Sequence, residues 1–259
     1  MIAVINSLKF EYCFQLSISE GDKSKSQINE FSHRCLRLFR ATNRSAVGDT
    51  PLTIETQPTD DLCLLAAMSL IRLHEVDLET KPYPLPSVAI IRATVILENL
   101  VLKSPHNYEA LLLLTRLYLL LGAGSLALRS FSRLAVKQIQ YETVAHNLFT
   151  RLATIHPHSA PPFDDSESKD IDPQIALRQA LKFYRGSETS IPYARRTGLE
   201  HGSYVNVEQS IDFEKALHSS ICRKMWALEA RRIQRLVGGP SASQYDDIGG
   251  FTPCCVCNN

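Results

Sequence analysis

Three stretches of the chain carry residue types that could do chemistry. Cys254-Cys255-Val256-Cys257 offers soft metal ligands near the C-terminus. A zinc site usually needs two separated Cys or His pairs, and no second pair lies close in sequence, so the spacing favours an irregular tail. His156 and His158 flank Pro157 with no partner motif and read as loop histidines. Arg129, Arg133, Lys137, Arg151, His156 and His158 give residues 129–158 a basic bias spread over more than one helix face. A solvated face is the simpler reading, and a surface touching RNA or an acidic partner helix is the sharper one. There is no Ser-, Cys- or Asp-centred nucleophile motif. The residues therefore name no catalytic group, no cofactor-binding group, no metal ligand and no cofactor.

One glycine pair needs a separate comparison. Gly122-Ala123-Gly124 can be set beside the Arg/Gln-x-x-Gly-x-Gly/Ala acetyl-CoA loop of GNAT acetyltransferases. Here Leu119 occupies the first position and the preceding pattern is helical, so backbone N–H groups would not be presented to a pyrophosphate. The pair reads as a turn joining two helices, with glycine supplying positive φ.

Composition narrows the class. The chain has 259 residues, 44% of them hydrophobic and 21% charged, which is ordinary for a globular protein and argues against wholesale disorder. Twenty-eight Lys and Arg stand against 27 Asp and Glu, a net charge of +1. That balance disfavours a polyelectrolyte partner overall, and specific DNA binding with it. The odd number of cysteines, seven, and their scatter fit a reducing compartment better than a disulfide framework. Asn6, Lys9 and Glu11 interrupt any signal-peptide core, so a soluble, cytoplasmic protein is expected. Leu111–Leu128 is apolar enough to raise a membrane span, but Arg116 and the two glycines oppose insertion, and a buried hairpin is expected.

The elements that must position these residues read as helices. Only Gly122 and Gly124 fall between Gly48 and Gly186, too few turn signals for a sheet. Residues 1–56 are the least legible, with one helix expected near Asn29–Phe39. Asp60 and Asp61 open a helix whose apolar positions include Leu62, Leu65, Met68 and Leu73. A second helix from Ser87 carries Ile91, Val95 and Leu102. Leu111, Leu114, Tyr118 and Leu121 mark one face of a third, and Leu128, Phe131 and Leu134 or Ala135 that of its return. Val144, Leu148, Leu152 and Ile155 suggest a further helix ending at Pro157. Pro- and acid-rich 159–173 reads as a linker, 174–185 as a helix and 186–206 as ambiguous, broken by Gly186, Pro192, Gly198 and Gly202. One long helix, straight or kinked, is expected over Val207–Val237, stopped by Gly238, with 240–259 irregular. Grouped into regions, these give 1–56, 57–158 as the repeats, 159–173, 174–239 as further helices, and 240–259.

A repeat check sharpens the middle. Tetratricopeptide repeats of about 34 residues alternate large and small positions so that two helices pack closely. A frame starting at Tyr108 puts Leu111, Leu114, Thr115, Tyr118, Ala127 and Phe131 in the expected places. One repeat earlier, Ala93, Leu97, Leu100 and Pro105 match a second helix. The fold class expected is all-α, antiparallel helix hairpins stacked as a tetratricopeptide-type superhelix. Leu111, Leu114, Tyr118, Ala127 and Phe131 are its packing residues.

Three segments carry a resemblance beyond periodicity. The hairpin LLLLTRLYLLLGAGSLAL with the linker Val136–Thr143 and the helix around Leu148–Arg151, the run DDLCLLAAMSLIRL from Asp60, and DFEKALHSSICRKMWALEARRIQRLVGG from Asp212 resemble the non-catalytic subunit of the NatB N-terminal acetyltransferase complex, the Mdm20 family. The resemblance covers about Gln57 to Gly239, leaving out 1–50 and 241–259. Family members are several times longer, so it implies a fragment of a superhelix or a shortened product. It further implies a scaffold that is not itself an enzyme. Such a scaffold wraps a GNAT-fold catalytic subunit and helps place it at the ribosome, indirectly or by a basic surface. The complex acetylates nascent chains beginning Met-Asp, Met-Glu, Met-Asn or Met-Gln. Lys137, Gln138, Gln140 and Tyr141, in the shared linker, are candidate contacts with the partner or the next repeat. Two rival readings remain: a co-chaperone-like tetratricopeptide module, for which Arg116 alone is a poor peptide clamp, and a thiol or zinc enzyme built on the terminal cysteines.

Overall fold

The computed structural model describes residues 1–16, 22–45, 56–80, 88–162 and 171–238. These are all-α, and the one β feature among them is an isolated antiparallel bridge between Ala160 and Ile171. The chain forms two compact units, Met1–Gly122 and Ala123–Asn259.

In the first unit, α1 (Ile2–Glu11) runs into a π-type turn (Tyr12–Leu16), and α2 (Asp22–Ser45), α3 (Asp60–Thr80), α4 (Val88–Lys103) and α5 (Tyr108–Leu120) follow. From α2 onward each helix packs on the next. Lys25 pairs with Asp77 at 3.0 Å and Ser32 donates to the Ala66 carbonyl at 3.3 Å, so α2 and α3 run antiparallel. Tyr118 of α5 donates to Glu98 of α4. The helix expected near 29–39 is thus twice as long, and Ile2–Glu11, whose Ile5 and Leu8 are buried, is a helix that the sequence reading left out.

Two helix starts in this unit are tied together. Asp60 is buried, and its Oδ2 accepts from the Gln57 backbone N–H at 3.1 Å, reaching back as the acid of a capping box does. The same oxygen accepts from Asn107 Nδ2 at 3.3 Å, while Asn107 Oδ1 caps α5 through the Ala110 N–H at 3.0 Å. Asp60→Ala therefore removes one cap and strands a buried amide beside the other. The expected cost is about 2 kcal/mol by urea unfolding, with a smaller loss for Asp60→Asn.

Burial corrects one face. Leu62, Leu65 and Leu73 are buried as expected, but Met68 is exposed, and so are Ile91, Val95 and Leu102 of α4. The packed side of α4 is Ala89, Ile90, Ala93, Thr94, Leu97, Leu100 and Val101. Small Ala93 and Thr94 lie on that packed side beside Ile90 and Val101, so branching does not separate it from the exposed Ile91 and Val95. On α5 the side chains of Leu111, Leu114, Thr115 and Tyr118 are buried, Leu121 is half-buried and Arg116 is exposed. No helix among the described residues is long and apolar enough to cross a membrane.

The second unit contains α6 (Gly124–Arg133), the short helices α7 (Gln140–Val144), α8 (His146–Phe149) and α9 (Leu152–Ile155), and then α10 (Pro173–Glu200), α11 (Tyr204–Ser219) and α12 (Ile221–Val237). Only one glycine of the expected turn uses positive φ, Gly122 at 74°. Gly124 is required for a different reason: a Cβ there would overlap the side chain of His156. Ala127, Leu128 and Phe131 are buried, Leu134 is half-buried and Ala135 exposed.

Three boundaries differ from expectation. The element over Val144–Ile155 is not one helix, because Glu229 Oε2 takes the Ala153 N–H at 3.1 Å and competes with the preceding turn for that donor. Conversely, α10 continues through Gly186 and Pro192 to Glu200. An interior proline costs about 3 kcal/mol, which burial of Leu177, Ala180, Leu181, Tyr184 and Ile191 offsets. The helix expected over Val207–Val237 starts at Tyr204 and breaks at Ser220, whose hydroxyl caps α12 through the Arg223 N–H at 3.0 Å. Gly238, with φ 77°, ends it. Arg195 pairs with Glu214 at 2.5 Å, so α10 and α11 form an antiparallel hairpin. Phe131, Phe149, Trp226 and Tyr184 form a chain of ring contacts at 5.5–5.8 Å that is the core of this unit.

Candidate functional site

The linker before α7 folds into a surface of the second unit. Ala135 and Gln138 adopt left-handed backbone at φ 49° and 47°, uncommon for residues with a Cβ. Lys137 and Gln138 are exposed, and the Lys137 N–H donates to Gln140 Oε1 at 2.9 Å. Gln140 is therefore engaged in holding the linker at the start of α7, and Lys137 projects to solvent. Tyr141 is half-buried, which pushes its phenol pKa up.

Gln138, Ile139 and Tyr141 line one wall of an open cavity of about 510 Å³. Lys182, Phe183 and Gly186 of α10 and Phe213 of α11 line the rest, with Gln179, Ser187 and Ser190 at its edge. A Cβ on Gly186 would meet nothing within 4 Å, so the glycine leaves space in the wall. The sequence reading placed Gln138 and Tyr141 but missed Lys182, Phe183 and Phe213. No local pattern could have found them, since α10 and α11 reach the linker only through the fold.

Beside this surface lies a partly buried polar cluster. Tyr184 donates to Glu142 Oε1 at 2.5 Å and lies 3.3 Å from Ser220 Oγ. Burial, and then the bond to Glu142, push its phenol pKa well up, so it remains a donor. Cys222 Sγ lies 3.7 Å from the Glu142 carbonyl, and burial raises its pKa too. Arg223 pairs with Glu188 at 2.6 Å and sits over the Tyr184 ring, 5.6 Å from its centroid. The linker is thereby anchored from both α10 and α12. Aromatic walls, amides and one ammonium make a surface suited to gripping a polypeptide.

The other chemistry-bearing residues lie apart. Cys35 and Cys63 are buried in the first unit, and burial pushes both thiols up to about 12. Cys254, Cys255 and Cys257 lie outside the described residues, among which no group of His, Cys, Asp and Glu could hold a metal ion. His156 is half-buried with its pKa lowered by burial, while His158, Arg133 and Arg151 are exposed and Arg129 is half-buried.

Comparison with known proteins accounts for this scaffold. The family model described as the N-acetyltransferase B complex (NatB) non catalytic subunit matches residues 1–252. That match takes in the N-terminal segment and most of the tail, which the resemblance read from sequence left out. The chain is 30% identical over 194 residues to the N-terminal acetyltransferase B complex subunit arm1 of Schizosaccharomyces pombe, covering 73% of this chain and 22% of that protein. It is 27% identical over 175 residues to the human N-alpha-acetyltransferase 25, NatB auxiliary subunit, covering 67% of this chain and 16% of the relative. The N-terminal acetyltransferase B complex subunit MDM20 of Saccharomyces cerevisiae is 26% identical over 147 residues, which is 57% of this chain and 17% of that protein. The chain thus spans about a fifth of the length of these relatives. An all-α scaffold matched to that model over nearly its whole length belongs to the family of non-catalytic, auxiliary subunits of the NatB N-terminal acetyltransferase complex.

Proposed function

We propose that this chain acts as a scaffolding part of a NatB auxiliary subunit, holding a GNAT-fold catalytic subunit and helping to position it at the ribosome. The family match over residues 1–252 carries this reading. In it the acetyl-transfer chemistry and acetyl-CoA belong to the partner, and the substrates are nascent N-termini beginning Met-Asp, Met-Glu, Met-Asn or Met-Gln. The contact surface is the linker Lys137, Gln138, Gln140 and Tyr141 with its groove. Its combination of half-buried aromatic and exposed amides suits a protein partner. Exposed Arg133, Lys137 and Arg151 are the cations on offer to ribosomal RNA. This work belongs in the cytoplasm.

The test is the acetylation rate of a Met-Asp peptide by the catalytic subunit from the same source, with and without this chain. A rise of at least about tenfold, corresponding to 1.4 kcal/mol of barrier, and no rise for a Ser-Ala peptide, is the expected outcome. Equal rates with and without the chain refute the reading. Tyr141→Arg, which puts a charge in the groove wall, should remove most of the gain, and an unchanged gain would take the contact away from this surface.

A further inference from the structure

The exposed face of α12 has a second pattern, separate from the groove. Ile221, Lys224, Met225, Leu228, Arg232, Arg235 and Leu236 recur at three- and four-residue steps and fall within an arc of about 120° on the helix. All seven are exposed, Ile221 at 72%, Leu228 at 56% and Leu236 at 60%. The opposite side, Arg223, Trp226, Ala227, Ala230 and Ile233, is buried in the second unit. The helix is therefore fixed by one face and presents the other as a ridge about 22 Å long.

Charge on that ridge has one sign. It carries Lys224, Arg232 and Arg235 and no exposed acid, because Glu229, the acidic residue of α12, is buried at its edge. Arg232 is paired with Glu229 at 2.6 Å, whereas Lys224 and Arg235 make no ion pair among the described residues. Four aliphatic side chains at helical spacing would lie idle against a nucleic acid, whose recognition uses phosphate contacts and flat stacking surfaces. They are suited to a second helix laid along the first, whose own apolar stripe covers Ile221, Leu228, Met225 and Leu236. Lys224 and Arg235, which lie along one edge of the stripe, favour carboxylates on that helix.

We propose that the exposed face of α12 is a docking surface for an acidic amphipathic helix of a partner protein. The site rests on charge complementarity and helical spacing in α12 and stands independently of the acetyltransferase reading.

The probe is a fluorescein-labelled helical peptide with leucine at three- and four-residue steps and glutamate elsewhere, titrated with the full chain and read by anisotropy. Saturable binding that weakens as salt is raised is expected, because surface charges supply part of it. Leu228→Asp and the double variant Lys224→Glu/Arg235→Glu each weaken it at least about tenfold, corresponding to 1.4 kcal/mol. All three side chains are exposed, so circular dichroism should show the fold of both variants unchanged. The double variant should also gain affinity for the matching peptide with lysine in place of glutamate, a reversal that misfolding cannot produce. No binding of the glutamate peptide, or binding unaffected by both variants, overturns the proposal. It is equally overturned if phosphatidylserine vesicles, polyuridylate or a second copy of the chain bind in a way these variants abolish while the peptide does not.

Discussion

Trp226→Ala is expected to cost about 3–5 kcal/mol, the range for emptying an aromatic site in a packed core. Trp226 is 1% exposed. Its ring meets Phe149 edge-on at 5.5 Å and an interplanar angle of 74°, and lies 5.8 Å from Tyr184. One side chain thus ties α8, α10 and α12 together, and these are the elements that hold the 136–143 linker in place. Differential scanning calorimetry should show the melting of the second unit fall by roughly 10 °C. Trp226→Phe keeps an aromatic edge on Phe149 and should lose clearly less. Equal losses for the two substitutions would contradict this reading, because phenylalanine restores both most of the volume and an aromatic edge.

Arg223→Glu should be nearly as damaging. The Arg223 side chain is 7% exposed, and its guanidinium faces Glu188 at 2.6 Å and the Tyr184 ring. Reversal sets two carboxylates against each other in a site with little water, where removing even one partner of a buried pair costs about 3–5 kcal/mol. Glu188 remains 31% exposed and can turn outward, which places the expected loss toward the lower end of that range. The swap Arg223→Glu/Glu188→Arg restores the pair and should recover part of the stability in chemical denaturation. A swap no better than the single reversal would show that the cation over Tyr184 matters more than the ion pair.

How much of this was legible in the sequence depends on where the deciding partner lies. The face of α5 could be read because Leu111, Leu114 and Tyr118 step at helical spacing, whereas the Asn107 cap at its start came only with the fold. On α4 apolar residues surround the helix, so periodicity alone chose the exposed Ile91 and Val95, whereas the repeat frame picked Ala93, Leu97 and Leu100, which the fold buries. Gly186 and Pro192 signal breaks locally, and only burial of Tyr184 and Ile191 against the rest of the unit carries α10 through them. The split between α8 and α9 depends on Glu229, 76 residues away. The candidate site divides the same way: the linker residues could be named from the chain, while the α10 and α11 wall that turns them into a groove could not. Family membership was readable from contiguous segments because sequence likeness, unlike packing, does not need the fold.

In the proposed function this chain serves by holding a catalytic acetyltransferase subunit. Co-expression with that subunit from the same source, followed by affinity capture on one tag and size-exclusion chromatography, tests it most directly. A stable one-to-one complex that elutes as a single peak and that Tyr141→Arg weakens is the expected result. A well-folded catalytic subunit that elutes alone, beside a well-folded chain, would contradict it.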